Sequence, residues 1–127
     1  MDTPLNRIAY VEDDADVRAI AEFALDEVGT FTLASYTCGA AALEGIPGFK
    51  PDLILLDMMM PGMDGAETLR RLRTIPEYEH TPVVFMTAKA QSHELEKYRS
   101  LGAVDVIVKP FDPMTLADTL RALWDTL

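Results

Sequence analysis

The chain has 127 residues, with 21 acidic against 11 basic side chains and a formal charge of −10, and at this length it has room for one domain that buries roughly two-thirds of its unfolded surface. That charge argues against direct nucleic-acid binding, which rests on Lys and Arg neutralising phosphates, and no apolar run approaches the roughly 20 residues needed to cross a bilayer. The single cysteine, Cys38, excludes an intramolecular disulfide, agrees with a reducing cytoplasm, and is expected to serve as packing.

In chain order, the first apolar run is Ile8-Ala9-Tyr10-Val11, which stops at Glu12-Asp13-Asp14. The strand begins near Arg7, so only Met1 to Asn6 precedes it, too little for a signal or transit peptide. Val17, Ile20, Ala21, Ala24 and Val28 then recur at helical spacing, with Asp14 as the cap and Asp16 facing water. Gly29 stops the run, and Phe31 to Tyr36 has the character of a strand. Ala40 to Ile46 is expected as a short helix closed by Pro47-Gly48. The run from Asp52 to Leu56 is continuously apolar, as in a strand covered on both faces. It ends at Asp57, and the proline-glycine turn Pro61-Gly62-Met63-Asp64-Gly65 follows.

Asp64 can cap the next helix. Glu67, three residues on, completes a capping-box-like pattern and stands four residues before Arg71, while Leu69 and Leu72 turn inward. Arg70, Arg71 and Arg73 are expected as a solvated helix end, where cations favour the negative end of the dipole. After Pro82 the run Val83-Val84-Phe85-Met86 stops at Thr87. Ser92 opens a helix carrying Leu95, Tyr98 and Leu101, with Gly102 as a left-handed cap. Val104 to Val108 forms a fifth strand that stops at Lys109, and Asp112-Pro113 opens a last helix with Leu116, Leu120, Leu123 and Leu127 on one stripe. Five strands alternating with five helices imply an α/β fold with a parallel sheet and helices on both faces.

In such a sheet ligands sit outside the carboxyl ends of the strands. Four strand ends here deliver Glu12, Asp13, Asp57, Thr87 and Lys109. Two like charges about 4 Å apart repel by about 4 kcal/mol at an effective dielectric near 20, so gathered carboxylates call for a cation. Magnesium suits oxygen donors of this kind, and no His/Cys cluster offers a zinc or copper site. A carboxylate nucleophile at Asp57, with a cation, the Lys109 ammonium and the Thr87 hydroxyl around it, has the parts for phosphoryl transfer to an aspartyl phosphate. Neither Gly-x-x-x-x-Gly-Lys nor Gly-x-Gly-x-x-Gly occurs, so the phosphate comes from another phosphorylated molecule. His80 and His93 lack the acids and strand context to be its carrier.

These residues fall in motifs: Val11-Glu12-Asp13-Asp14, Leu56-Asp57-Met58-Met59-Met60-Pro61-Gly62-Met63-Asp64-Gly65, Met86-Thr87-Ala88-Lys89 and Val108-Lys109-Pro110-Phe111. In order and spacing the chain, residues 1–127, resembles the receiver domains of two-component response regulators, of the single-domain chemotaxis-regulator type. The resemblance implies a flavodoxin-like, doubly wound sheet of order 2-1-3-4-5. It implies Asp57 as phosphoacceptor, Asp13 as direct magnesium ligand, Glu12 as the acid reaching magnesium through water, and the Met59 backbone carbonyl as a further ligand. Thr87 corresponds to the switch hydroxyl and Lys109 to the family's lysine, with a cis Lys109-Pro110 bond. Ala88 leaves the phosphoryl pocket open, while Met59 and Lys89 stand where the family tunes dephosphorylation. The implied partners are a sensor histidine kinase or histidine phosphotransfer protein, docking on helix one or the loop after strand five, and a downstream protein reading the surface of helix four, strand five and helix five. A homodimer is a further possibility of the family. The pattern departs at Val106, where receivers often carry a swinging Tyr or Phe.

Two other classes stand beside this one. A receiver-fold scaffold could bind partners without phosphorylation; the complete set of acids, threonine and lysine speaks against it, and Val106 for it. A phosphatase of the haloacid dehalogenase type would use Asp14-Ala15-Asp16-Val17, but the chain is short for one, lacks a late acidic pair and would leave Asp57 unexplained.

Overall fold

Strand formation follows the runs of aliphatic and β-branched residues. The computed structural model describes residues 3–127 and contains β1 (Arg7–Val11), β2 (Thr32–Tyr36), β3 (Leu53–Asp57), β4 (Val83–Thr87) and β5 (Asp105–Val108). Thr3 to Asn6 precede the first strand as expected, and Met1 and Asp2 lie outside the described residues. All neighbouring strands pair in parallel, in the order β2-β1-β3-β4-β5. The helices are α1 (Ala15–Glu22), α2 (Gly39–Phe49), α3 (Gly65–Leu72), α4 (Ser92–Ser100) and α5 (Leu116–Asp125).

Side chains alternate across the sheet, so the strands build two cores. Ile8, Tyr10, Leu55, Val84 and Met86 pack under α1 and α5, through Ala21, Leu120 and Trp124. Ala9, Val11, Ile54, Leu56 and Phe85 pack under α2, α3 and α4, through Ile46, Leu69 and Tyr98. β3 is buried at every position, as its unbroken apolar run predicts. The connections from β1 and β3 leave in opposite directions, which opens a crevice at their carboxyl ends, the switch point at which ligands bind in sheets of this kind.

Several local expectations change. Asp14 caps α1 through N–H donors from Asp16 and Val17, but the helix then widens into a π-helical segment, Phe23–Val28. That segment buries Ala24 and Leu25, while Ile20 stays 49% exposed. α2 runs through Pro47 and Gly48 to Phe49 and ends at Lys50 in the left-handed region. Its last turn is held by Arg7, which stacks on the Phe49 ring and donates to the Phe49 carbonyl, so tertiary contact overrides the proline-glycine stop signal.

Cys38 is exposed rather than packed. It caps α2, its Sγ accepting the Ala41 N–H, because the chain has already left the sheet after Tyr36. Arg73 is not solvated either. It donates to the carbonyls of Tyr78, Thr81 and Gly102, satisfying loop carbonyls that no ladder reaches. α5 begins at Leu116, after a turn in which the Asp112 carboxylate accepts the Met114 N–H. Trp124 rather than the exposed Leu127 completes its inward stripe.

Asp64 caps α3 as expected, accepting the Glu67 N–H. Glu67 itself pairs with Arg70 and Arg71, and its hydrogen bonds to these two guanidinium groups lower its carboxyl to about 2. A depressed carboxyl stabilises the fold above its unfolded value and loses that contribution as pH falls through the folded one. An NMR titration of the Glu67 side chain is therefore expected to show its midpoint near 2, returning to the ordinary glutamate range when both arginines are replaced by glutamine.

Candidate functional site

The buried candidate residues stand at or directly after strand ends. Val11 and Leu56 are cross-strand partners, so the next residues on those two strands, Glu12 and Asp57, emerge side by side. Glu12 is 1% exposed and Asp57 2%. Lys109 follows β5 directly, and its backbone N–H donates to the Thr87 carbonyl, which carries its side chain back over the crevice. There the Lys109 ammonium donates to Glu12 Oε1 at 2.7 Å and to Asp57 Oδ1 at 3.0 Å. The second Glu12 oxygen, Oε2, accepts the Asp14 N–H, and Asp57 Oδ1 also accepts the Met59 N–H at 3.4 Å.

Asp13 joins the pair from the exposed β1–α1 loop. Oxygens from Glu12, Asp13 and Asp57 all lie within 4.8 Å of one another. Three carboxylates against one ammonium leave the pocket anionic. Burial first, and then its contact with Asp57, push the Glu12 carboxyl up to about 7 against the opposing pull of Lys109. The donors are all hard oxygens, with no imidazole or thiolate among them, which fits a small divalent cation of the magnesium or calcium type.

The sheet thus brings together Glu12, Asp13, Asp57 and Lys109, with Met59 at their edge through its backbone. Thr87 stands one position past Met86, the cross-strand partner of Asp57; it is 1% exposed, and its hydroxyl accepts the Lys89 N–H at 3.1 Å. The Lys109-Pro110 bond is cis. Val106 is half-buried against the core under α2, α3 and α4.

Two supporting residues were not singled out from the sequence. Arg18 donates to the carbonyls of Glu12 and Asp13 and so pins the acidic loop; nothing in its spacing marks it. Gly65 does carry a signal, as the glycine after a capping aspartate. A Cβ there would sit 2.5 Å from the Asp57 carbonyl and 2.8 Å from the Met58 Cα. Both are backbone atoms that cannot swing away, so Gly65→Ala is expected to cost about 2 kcal/mol, within the range for overpacking, in urea unfolding, and to displace Asp57.

This arrangement has counterparts among known proteins. Residues 8–121 match the family described as the response regulator receiver domain. The chain belongs to that family. DNA-binding response regulator MtrA of Mycobacterium tuberculosis is 38% identical over 122 residues, which cover 96% of this chain and 52% of that protein. Transcriptional regulatory protein CseB of Streptomyces coelicolor is 34% identical over 116 residues, 91% of this chain and 48% of the relative. The receiver domain described here thus spans about half the length of these curated relatives.

Among solved structures, chemotaxis protein CheY4 of Vibrio cholerae superposes with a TM-score of 0.86 at 27% identity, covering 94% of this chain and 98% of that one. A response regulator from Chloroflexus aurantiacus gives 0.84 at 27% identity, covering 97% of this chain and 99% of that one. The flavodoxin-like receiver fold expected from the motifs is therefore the fold observed. Among the described residues, no helix of this receiver is long and apolar enough to cross a membrane.

Proposed function

We propose that this receiver domain is a phosphorylation-dependent switch in which Asp57 accepts a phosphoryl group from the phosphohistidine of a sensor kinase or phosphotransfer protein. The observation that carries the reading is the Lys109 ammonium held between Glu12 and Asp57 in a pocket with surplus negative charge. An ammonium so placed orients the carboxylate and is on hand for the oxygens of an incoming phosphoryl group. Asp57 attacks phosphorus, the bond from phosphorus to the imidazole nitrogen breaks, and an acyl phosphate forms; water later returns the carboxylate and inorganic phosphate. Glu12, Asp13, Asp57 and the Met59 carbonyl would hold magnesium, which when bound supplies the charge neutralisation that lets anionic donor and acceptor meet. Thr87, whose hydroxyl now accepts the Lys89 N–H, turns to donate its own proton to the phosphoryl group, and this shift carries the signal to α4 and β5.

The exposed Ile20 has a place in this reading. With Val17, Ala88, Lys109, Pro110 and Phe111 it lines a groove of about 280 Å³ beside the pocket, and an apolar helix face of the phosphohistidine carrier fits there. Such a partner places the protein's work in the cytoplasm. With the small Val106 in place of a ring, output depends on Thr87 and α4.

Incubation with acetyl phosphate and magnesium, followed by intact-mass and fragment analysis, tests the proposal. One phosphoryl group on Asp57, lost on standing and prevented by chelator, is the expected result. No gain at any magnesium concentration would favour a scaffold that signals by binding alone, and continuing turnover of phosphate monoesters would favour a phosphatase.

A further inference from the structure

Tyr10 is fully buried, and among the described residues its hydroxyl has no hydrogen-bond partner. Such groups are uncommon in folded proteins because leaving one unpaired costs free energy. Its position is informative. Tyr10 is cross-strand partner to Leu55, so it lies two residues below Glu12 and beside the residue two below Asp57. Alternation puts all four side chains on the α1 and α5 face of the sheet. Same-face neighbours on a strand, and the diagonal pair across to Asp57, lie within reach of aromatic and other long side chains. Tyr10 therefore packs on the sheet face from which the two acids rise, next to the strand positions that carry them. Its hydroxyl is raised by burial first and then by the charges of Glu12 and Asp57, so it remains a proton donor.

Resting on the switch reading above, we propose that Tyr10 is a positioning residue whose hydroxyl donates to Glu12 when Lys109 leaves that carboxylate for the phosphoryl group. In the present arrangement Glu12 Oε1 is occupied by Lys109 and Oε2 by the Asp14 N–H, and Tyr10 has nothing to donate to. Once the ammonium turns to the phosphoryl oxygens, Oε1 of a buried carboxylate loses its side-chain donor, and the Tyr10 hydroxyl is an unpartnered donor on the same sheet face. The exchange replaces one donor by another and satisfies two buried groups together. It stabilises the phosphorylated arrangement relative to the unphosphorylated one.

Tyr10→Phe separates the two states, because it removes the hydroxyl and keeps the ring in the core. Without phosphate the variant is expected to unfold at or above the wild-type temperature, having lost an unpaired polar atom. With magnesium and beryllofluoride, a phosphoryl mimic, its affinity for the mimic should fall about tenfold, the effect of one hydrogen bond to a charged group. In proton NMR the wild-type Tyr10 hydroxyl should become slowly exchanging only with the mimic bound. Equal affinity of variant and wild type overturns the inference. So does a Tyr10→Phe protein that is less stable without phosphate to the same extent as Ser35→Ala, since Ser35 is the cross-strand neighbour of Tyr10 and its hydroxyl is also buried and unpartnered; matched losses would mean that water already bridges the two. A wild type that takes neither phosphate nor beryllofluoride overturns the switch and this inference together, whereas one that takes both while Tyr10→Phe matches it overturns this inference alone.

Discussion

Asp57→Asn is expected to abolish phosphoryl uptake from acetyl phosphate completely while leaving the unphosphorylated protein at least as stable as wild type. The first half follows from nucleophilicity, since an amide oxygen cannot form the acyl phosphate and the other buried carboxylate at a strand end facing Lys109 is not free to attack. Glu12 is the nearest alternative, but both of its oxygens are already engaged, by Lys109 and by the Asp14 N–H. The second half follows from charge. Three carboxylates share the pocket with one ammonium, and like charges about 4 Å apart repel by about 4 kcal/mol at an effective dielectric near 20. Neutralising Asp57 removes that repulsion from Glu12 and leaves the Lys109–Glu12 pair intact. Intact-mass measurement checks the first claim and thermal unfolding in chelator the second. A fall in melting temperature of more than about 4 °C, roughly 1 kcal/mol for a domain of this size, would mean that Asp57 stabilises the resting fold and that the pocket is not overcharged.

Most of this candidate site was legible in the sequence because its polar side chains sit at strand ends. An apolar run that stops at a polar residue marks both where the strand ends and which side chain faces the crevice, and this was enough for Glu12, Asp57, Thr87 and Lys109. The strand order needed the family motifs, since alternation gives a parallel sheet without saying which strand neighbours which. What sequence reasoning missed was set by contacts between distant segments. α2 passes through Pro47 because Arg7, some forty residues earlier, holds its final turn at Phe49. Arg73 is tied down because its loop carbonyls come from Tyr78, Thr81 and Gly102. Ile20 has apolar spacing yet lines an open groove, because the π-helical segment after α1 gives Ala24 and Leu25 the inward places. Tyr10 reads as one more core residue in a strand; only its buried, unpartnered hydroxyl distinguishes it.

Lys109→Ala should retain the fold at lower stability and regain much of the loss when magnesium is added. The ammonium is 20% exposed in its side chain and holds two carboxylates that are 1% and 3% exposed. Removing it leaves both buried charges without their cation, and breaking a buried pair from one side costs about 3 kcal/mol. Truncating the lysine also opens the end of the apolar groove that it shares with Pro110 and Phe111, a smaller loss. A divalent ion that binds the folded pocket alone would restore about 2.7 kcal/mol at a hundred times its dissociation constant, because it supplies the missing charge to the same oxygens. Wild type, already partly neutralised, should gain less from the same ion, so the two unfolding curves in urea converge as magnesium rises. The variant should still accept phosphate slowly on Asp57, yet without the ammonium to draw toward the phosphoryl group the response at Thr87 and α4 should be lost, readable as unchanged amide shifts of Lys89 and the residues of α4 on adding beryllofluoride. If the variant were as stable as wild type in chelator and still moved α4, Lys109 would be a bystander, and the charge argument that joins Glu12, Asp57 and the switch would fail with it.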